Sequence, residues 1–356
     1  KGNIIDPLEL IDKYGADPLR FTLASLAAQG KDIKLSEENV KLNRNFITKI
    51  WNSYKFLHMN NCKTEKNFVV NTLTMDINIW IVKNLNDGIS SVTENIRKFR
   101  FNDAIKEIYS FTKNMYCDWY IEAVKAFINE IDDKILIKEI QNCSSYCFTE
   151  LLKVIHPFVP FISDEIYFSN ISHSKYLDQV KWPEKTNIKF KNSNIDNIDS
   201  ALGLVTKLRN IKASLKIEPK ATLILFVNKD LISKIINKET ELLVNRLAKV
   251  KITYTNLKKK RDENFSKFLY KNIPFNILYE NKNNISGIKS KDLSLLNKEL
   301  SILEFEIKRI EVKLNNINFI EKAPKKVVEE NKKKLNSFYN SKNKLLNEIN
   351  LLDKKD

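Results

Sequence analysis

Lys41, Asn45, Lys49, Asn52 and Phe56 follow one another at spacings of 4, 4, 3 and 4. On a helix such residues share one stripe. A stripe that mixes ammonium groups, carboxamides and a ring suits unpaired RNA: the ring stacks on a base, the amides meet its edge, and lysine neutralises phosphate. Spacing alone leaves a second reading open, a solvated face with Phe56 tucked into a core. No other group of residues suggests covalent or metal chemistry. Six glycines leave little room for a phosphate-cradling loop. His58, His156 and His173 stand apart with no metal-binding spacing, and His156 before Pro157 reads as a capping or core residue. Cys62, Cys117, Cys143 and Cys147 form no Cys-x-x-Cys pair. Cys143 and Cys147 are one helical turn apart with no histidine near them in sequence, so free core thiols of a reducing cytoplasm are expected. Asp164-Glu165 reads as a helix start rather than a catalytic pair.

Elements must position that stripe, and the expected fold is mainly α. Asp6-Pro7-Leu8-Glu9 is a helix start, with Gly15 as its stop, and Asp17-Pro18 repeats the start signal for a helix over Leu19 to Ala28. From Ser36 four long helices are predicted. Val40, Ile47, Ile50, Tyr54 and Leu57 mark the first, and Leu85, Ile89, Ile96 and Phe99 the second. Ile105, Ile108, Met115 and Trp119 mark the third, and Leu136, Ile140, Cys143, Cys147, Leu151 and Ile155 the fourth. His156-Pro157 and Pro160 interrupt that fourth helix, and Ser163-Asp164-Glu165 restarts a short one. Together these predict an antiparallel helical bundle. Trp182-Pro183-Glu184 and the polar run 186–197 mark a linker. Beyond it, a helix over 198–215, a strand over 221–227, a helical pair across 231–247 and strands over 251–255 and 275–279 predict a small α+β domain.

The last segment has the most regular pattern. Leu293, Leu296, Leu300, Leu303, Ile307, Ile310, Leu314 and Ile317 alternate spacings of three and four. A second seam passes through Val328, Leu335, Phe338, Leu345, Ile349 and Leu352. Two such seams with a break between them predict an antiparallel coiled-coil hairpin of about 35–40 Å per arm. From Lys289 on it carries 16 Lys+Arg against 11 Asp+Glu. The arm reads either as a dimerisation device or as a lever against a large partner.

The net charge of +16 favours a polyanionic partner, although the abundance of Lys, Ile and Asn is also what AT-rich codon usage gives. No run of eighteen apolar residues is present to span a membrane. The first residues lack a signal-peptide layout and an initiator Met, so a fragment is expected.

Several strings then resemble a known family. Lys1-Gly2-Asn3, Ile5-Asp6-Pro7, Lys13-Tyr14-Gly15-Ala16-Asp17 and Leu19-Arg20 resemble the stretch after the signature lysine loop of class I aminoacyl-tRNA synthetases. Phe21-Thr22-Leu23-Ala24-Ser25 and Asp32-Ile33-Lys34-Leu35-Ser36 resemble the valyl branch of that class. The resemblance continues through Arg44-Asn45-Phe46, Lys49, Trp51-Asn52, Phe56, Cys117-Asp118-Trp119-Tyr120 and His156-Pro157-Phe158-Val159-Pro160-Phe161. It includes Arg209-Asn210-Ile211, Arg246-Leu247-Ala248-Lys249-Val250 and the hairpin tip Phe319-Ile320-Glu321-Lys322-Ala323-Pro324 with Val327-Val328-Glu329.

The resemblance implies four parts: a catalytic-domain junction remnant over 1–35, an anticodon-binding bundle over 36–185, the α+β domain over 195–285 and a tRNA-binding coiled-coil arm over 289–356. It implies that Lys49 and Phe56, with Lys41, Asn45 and Asn52, contact the anticodon. It also implies that Lys322, Lys325, Lys326, Arg209 and Lys212 contact the tRNA corner and backbone. Lys212 stands where the family usually has Arg, which weakens a phosphate contact. The implied parent is an ATP- and Mg-dependent ligase of valine to tRNA in the cytoplasm. This chain is expected to hold no catalytic residue, cofactor or metal of its own, with Lys1 bordering the ATP loop. Its expected partner is valine tRNA, not DNA or a membrane, and the chain is expected to be monomeric. The alternative is a free-standing tRNA-binding or scaffold protein whose coiled coil dimerises.

Overall fold

The computed structural model describes residues 6–28, 32–172, 175–186, 194–255, 265–278, 286–316 and 325–353. The chain is mainly helical, with one small mixed sheet. It divides into two compact units: 1–202 with 238–243, and 203–237 with 244–356.

Among the described residues, the regular elements of the first unit are all helices. α1 (Pro7–Tyr14) starts as its sequence dictates, the Asp6 carboxylate accepting from the Leu8 amide at 2.8 Å ahead of Pro7. α2 (Ala16–Leu26) begins directly after Gly15, whose φ of +95° turns the chain between the two helices. Asp17 therefore does not cap its own helix. It lies buried in the first turn of α2, and its carboxylate accepts from the Phe161 and Ile162 amides at 3.2 and 2.8 Å. Those amides open α8 (Pro160–Tyr167), which starts at Pro160, three residues before the expected Ser163. Ser163 is buried and bonds back to the Val159 carbonyl.

α3 (Glu37–Met59) is capped by Ser36, which accepts from Asn39. α4 (Asp76–Arg97) stops before Phe99, whose φ is +56°, so Phe99 lies beyond the helix and exposed rather than on its core stripe. α5 (Phe101–Tyr109) and α6 (Ile121–Glu130) are joined without a break by a π-helical stretch, Ser110–Tyr120. That widening shifts the inward register: Phe111, Tyr116 and Tyr120 are buried where a regular helix predicted Met115 and Trp119. The two buried phenols find partners, Tyr116 donating to the Ser144 carbonyl at 2.8 Å and Tyr120 to Asn78 Oδ1 at 2.7 Å. α7 (Lys134–Ile155) buries Ile140, Cys143, Cys147, Leu151 and Ile155 as its spacing predicts. All four cysteines are buried free thiols, and burial pushes those of Cys62, Cys117 and Cys147 upward.

The start of the expected linker is strapped down within this unit. Trp182 Nε1 donates to Thr93 Oγ1 at 2.9 Å, and Thr186 and Asn86 exchange two hydrogen bonds. Residues 187–193 lie outside the described ones. α9 (Ile195–Ser214) follows, its Asp199 accepting from Trp80 Nε1 at 2.8 Å.

The second unit holds a four-stranded sheet of order β2-β1-β4-β3. β1 (Leu223–Val227) pairs in parallel with β2 (Val250–Tyr254). The connection runs through α10 (Lys229–Ile232) and α11 (Lys238–Ala248), the helical pair expected there. β4 (Ile273–Leu278) pairs antiparallel with β1 and with β3 (Phe265–Tyr270), a strand the sequence reading missed. β3 and β4 form a hairpin closed by Lys271 and Asn272, both at positive φ. α12 (Ser286–Asn315) and α13 (Lys325–Asp353) pack together, burying Ile307, Ile310, Val328 and Leu345. Their cross-pairs run in opposite senses, Tyr339 with Glu311 and Lys342 with Glu304.

Candidate nucleic-acid interface

The face to examine is that of α3. One side of this helix is committed to packing: Val40, Phe46, Ile47, Ile50, Ser53 and Leu57 are buried. Phe46 stacks on Phe21 of α2 at 4.9 Å between ring centres and lies 4.8 Å from the Tyr109 ring of α5. These contacts fix the helix about its axis and leave the stripe outward. Lys41, Asn45 and Asn52 are exposed, while Lys49 and Phe56 are half-buried.

What borders the stripe comes from the π-helical stretch and α6. Asp118 pairs with Lys49, and the neighbouring Cys117 thiol sits 3.3 Å from Ser53 Oγ. About two turns further on, Lys125 Nζ lies 5.4 Å from the centre of the Phe56 ring and 2.6 Å from Glu122 Oε1. The ring thus has a cation over it and is itself half-buried. The Lys49–Asp118 pair is about two-fifths exposed on both sides, and such a pair is worth about 1 kcal/mol at most. A phosphate can displace that carboxylate at little cost. Asp118, Glu122 and Lys125 were missed as site residues. Cys117-Asp118 belongs to a motif already quoted, but the π turn that points Asp118 at Lys49 leaves no mark at helical spacing.

The remaining sequence-predicted residues fare differently. Arg209 is exposed, and its guanidinium donates twice to the Leu247 carbonyl, at 3.2 and 3.0 Å, closing the end of α11. Lys212 is only 3% exposed. Its ammonium donates to the carbonyls of Ala221 at 2.6 Å and Lys249 at 3.1 Å. Burial, then the charges of Lys249 and Arg209, lower its pKa. The structure therefore corrects the expected backbone contact: Lys212 ties α9 to the starts of β1 and β2 and has no face to offer a phosphate. Lys325 and Lys326 open α13, but their side chains lie outside the described part, as do Lys1 and Lys322. Among the described residues, no group of three or more His, Cys, Asp or Glu could hold a metal ion.

Two domain families match this architecture. Residues 78–227 match the anticodon-binding domain of tRNA ligase, and residues 291–353 match the valyl tRNA synthetase tRNA binding arm. The valine–tRNA ligase of Pelagibacter ubique is 32% identical over 347 residues, 96% of this chain and 38% of that protein. The valine–tRNA ligase of Rhizobium meliloti is 37% identical over 256 residues, covering 70% of this chain and 27% of the relative. That of Nitrobacter winogradskyi is 45% identical over 185 residues, covering 52% and 19%. The class is therefore that of the tRNA ligases. Within it, the arm and the relatives single out one family. The chain belongs to the valyl-tRNA synthetases and corresponds to their C-terminal portion, spanning well under half the length of the relatives it matches.

Proposed function

We propose that this chain is the tRNA-gripping part of a valine–tRNA ligase, with the α3 stripe taking the anticodon region. The observation that carries this is the arrangement at Phe56 and Lys49: a half-buried ring with the Lys125 ammonium over it, about two turns from an ammonium paired with the half-exposed Asp118. A base stacks on the ring while its phosphate exchanges with Asp118. Lys41, Asn45 and Asn52 extend the same face. The antiparallel hairpin of α12 and α13 serves as a coiled-coil arm against the outer corner of the tRNA, with Lys322, Lys325, Lys326 and the exposed Arg209 as contacts there. Lys212 is left out of that set.

On this reading the four parts over 1–35, 36–185, 195–285 and 289–356 divide the work of holding one tRNA. The whole ligase joins valine to its tRNA with ATP and Mg in the cytoplasm. This chain contributes recognition and acts as a monomer. It is expected to show no valine-dependent ATP–pyrophosphate exchange by itself.

The test is titration of the chain with a valine tRNA transcript. Stacking of one base is worth about 1–3 kcal/mol, so the Lys49→Ala, Phe56→Ala double variant is expected to bind about tenfold more weakly or worse. Unchanged affinity in a folded double variant would remove α3 from the interface.

A further inference from the structure

One corner of the first unit carries an aromatic and basic surface that the α3 stripe does not use. α4 ends and α5 begins within the string Arg97-Lys98-Phe99-Arg100-Phe101, in which cations and rings interleave. The turn between the helices is a stop of defined type. Lys98 caps α4, the Phe99 amide donates to the Ile96 carbonyl at 2.9 Å, and the Arg100 amide donates to the Asn95 carbonyl at 2.8 Å. That pair of bonds calls for a left-handed residue after the cap, and glycine is the residue that takes it without strain. Phe99 stands there instead, at φ +56°. The fold gains little from its ring in return, because the residue is 72% exposed. A costly backbone that presents an exposed ring points to a use outside this unit.

The ring does not stand alone. Phe99 meets Phe101 edge-on at 6.3 Å between ring centres, and Phe101 meets Phe158 in the same manner at 6.4 Å. Phe158 is buried, so the row of rings is anchored in the bundle and ends in the open at Phe99. Arg20 donates to the Pro157 carbonyl at 3.1 Å, which brings a further cation to the anchored end. The charges round the turn are unequal. The hydrogen bond from Lys98, then the charges of Lys98, Arg100 and Arg97, hold the Glu94 carboxyl below its usual range. One carboxylate thus answers three cations. The Arg100 Nε is buried with no hydrogen-bond partner among the described residues, a donor that the fold leaves unused. A protruding ring with an excess of cations round it suits an unpaired nucleotide, whose base stacks on the ring while its phosphates meet the guanidinium groups.

We propose that this corner stacks an unpaired base of the bound RNA on Phe99, with Arg97 and Arg100 on the flanking phosphates. The proposal rests on the tRNA-binding reading above but names a separate contact. Phe101 and Asp118 lie about 20–25 Å apart along the helix that α5 and the π-helical stretch form, so one nucleotide cannot serve both faces. The full chain is titrated with a valine tRNA transcript at several salt concentrations, and its unfolding in urea is followed in parallel. Phe99→Gly separates the ring from the fold. Glycine accepts the positive φ, so the unfolding midpoint is expected to hold or rise while tRNA binding weakens about tenfold. Phe99→Trp is expected to bind like wild type. Arg97→Gln with Arg100→Gln is expected to weaken binding and to make the log–log salt slope shallower by about 1–2. A folded Phe99→Gly chain that binds tRNA like wild type overturns the proposal and leaves the corner as a docking face for protein. Weakening by the arginine pair but not by Phe99→Gly means diffuse charge and overturns it as well. Should Phe99→Gly unfold more easily than wild type, Phe99→Leu is set against Phe99→Trp, and equal tRNA affinity of those two overturns the stack. A wild-type chain that binds no tRNA overturns both readings. Weakening by Lys49→Ala with Phe56→Ala, but by none of the corner variants, overturns only this one.

Discussion

At the N-terminus of α4 the local sequence offers no capping side chain, because Met75 occupies the cap position. Two carboxylates from distant parts of the chain do the work instead. Glu139 of α7 accepts from the Thr74 and Met75 amides, and Glu239 of α11 from those of Asp76 and Ile77, all between 2.9 and 3.0 Å. Burial raises the Glu239 pKa from 4.5 to about 7, against the opposing pull of the two amides. Asp76 and Glu139, the acids facing it, raise it further. Its folded pKa thus exceeds its unfolded one. The stability it permits is complete below about pH 4.5 and is lost as pH rises through about 7. Between pH 5 and 8 the wild type should lose about 2–3 kcal/mol relative to Glu239→Gln in urea unfolding. A pH-independent difference would show that the carboxylate is not held this way. Neither glutamate was legible as a cap, since capping patterns in sequence are local and these partners lie 64 and 163 positions away. Lys212 misled for a related reason: the resemblance put a phosphate-binding cation at that position, and only the fold shows it buried.

The same division between local and distant partners runs through the elements. Starts capped from within, at Asp6 and Ser36, were readable. The start of α8 was misread because its cap, Asp17, comes from α2. Asp17→Ala should therefore cost about 1–2 kcal/mol, although it lies outside the helix it uncaps, and Asp17→Asn should recover part of that. Chemical denaturation of both variants checks this, and equal stability of Asp17→Ala and wild type would exclude the cap. The π-helical stretch hid the partners of the stripe. Phe111, Tyr116 and Ile121 are five apart, a period that search by threes and fours passes over. Of the two C-terminal seams Ile307, Ile310, Val328 and Leu345 are buried, and α7 was legible because its burial follows the regular period. β3 was not, because Phe265-Ser-Lys-Phe-Leu-Tyr is a six-residue edge strand abutting a charged run.

For the whole molecule the governing quantity is a net charge of +16. The interface proposed for α3 is built on a half-exposed ion pair and a ring, so affinity for tRNA should fall steeply with salt. A log–log plot is expected to be linear, with a slope of about −0.9 per phosphate engaged on duplex regions. Affinity indifferent to salt between 50 and 200 mM would show that the charge has no part in binding. The fold-scale consequence of the shared cap on α4 is kinetic. The two amides just ahead of it depend on a residue of α7, and its own first two on a residue of α11. Exchange of these protons with deuterated solvent should therefore split into two pairs: Thr74 and Met75 should open together with α7, Asp76 and Ile77 with α11. Four neighbouring protons would then time the detachment of two segments a hundred residues apart.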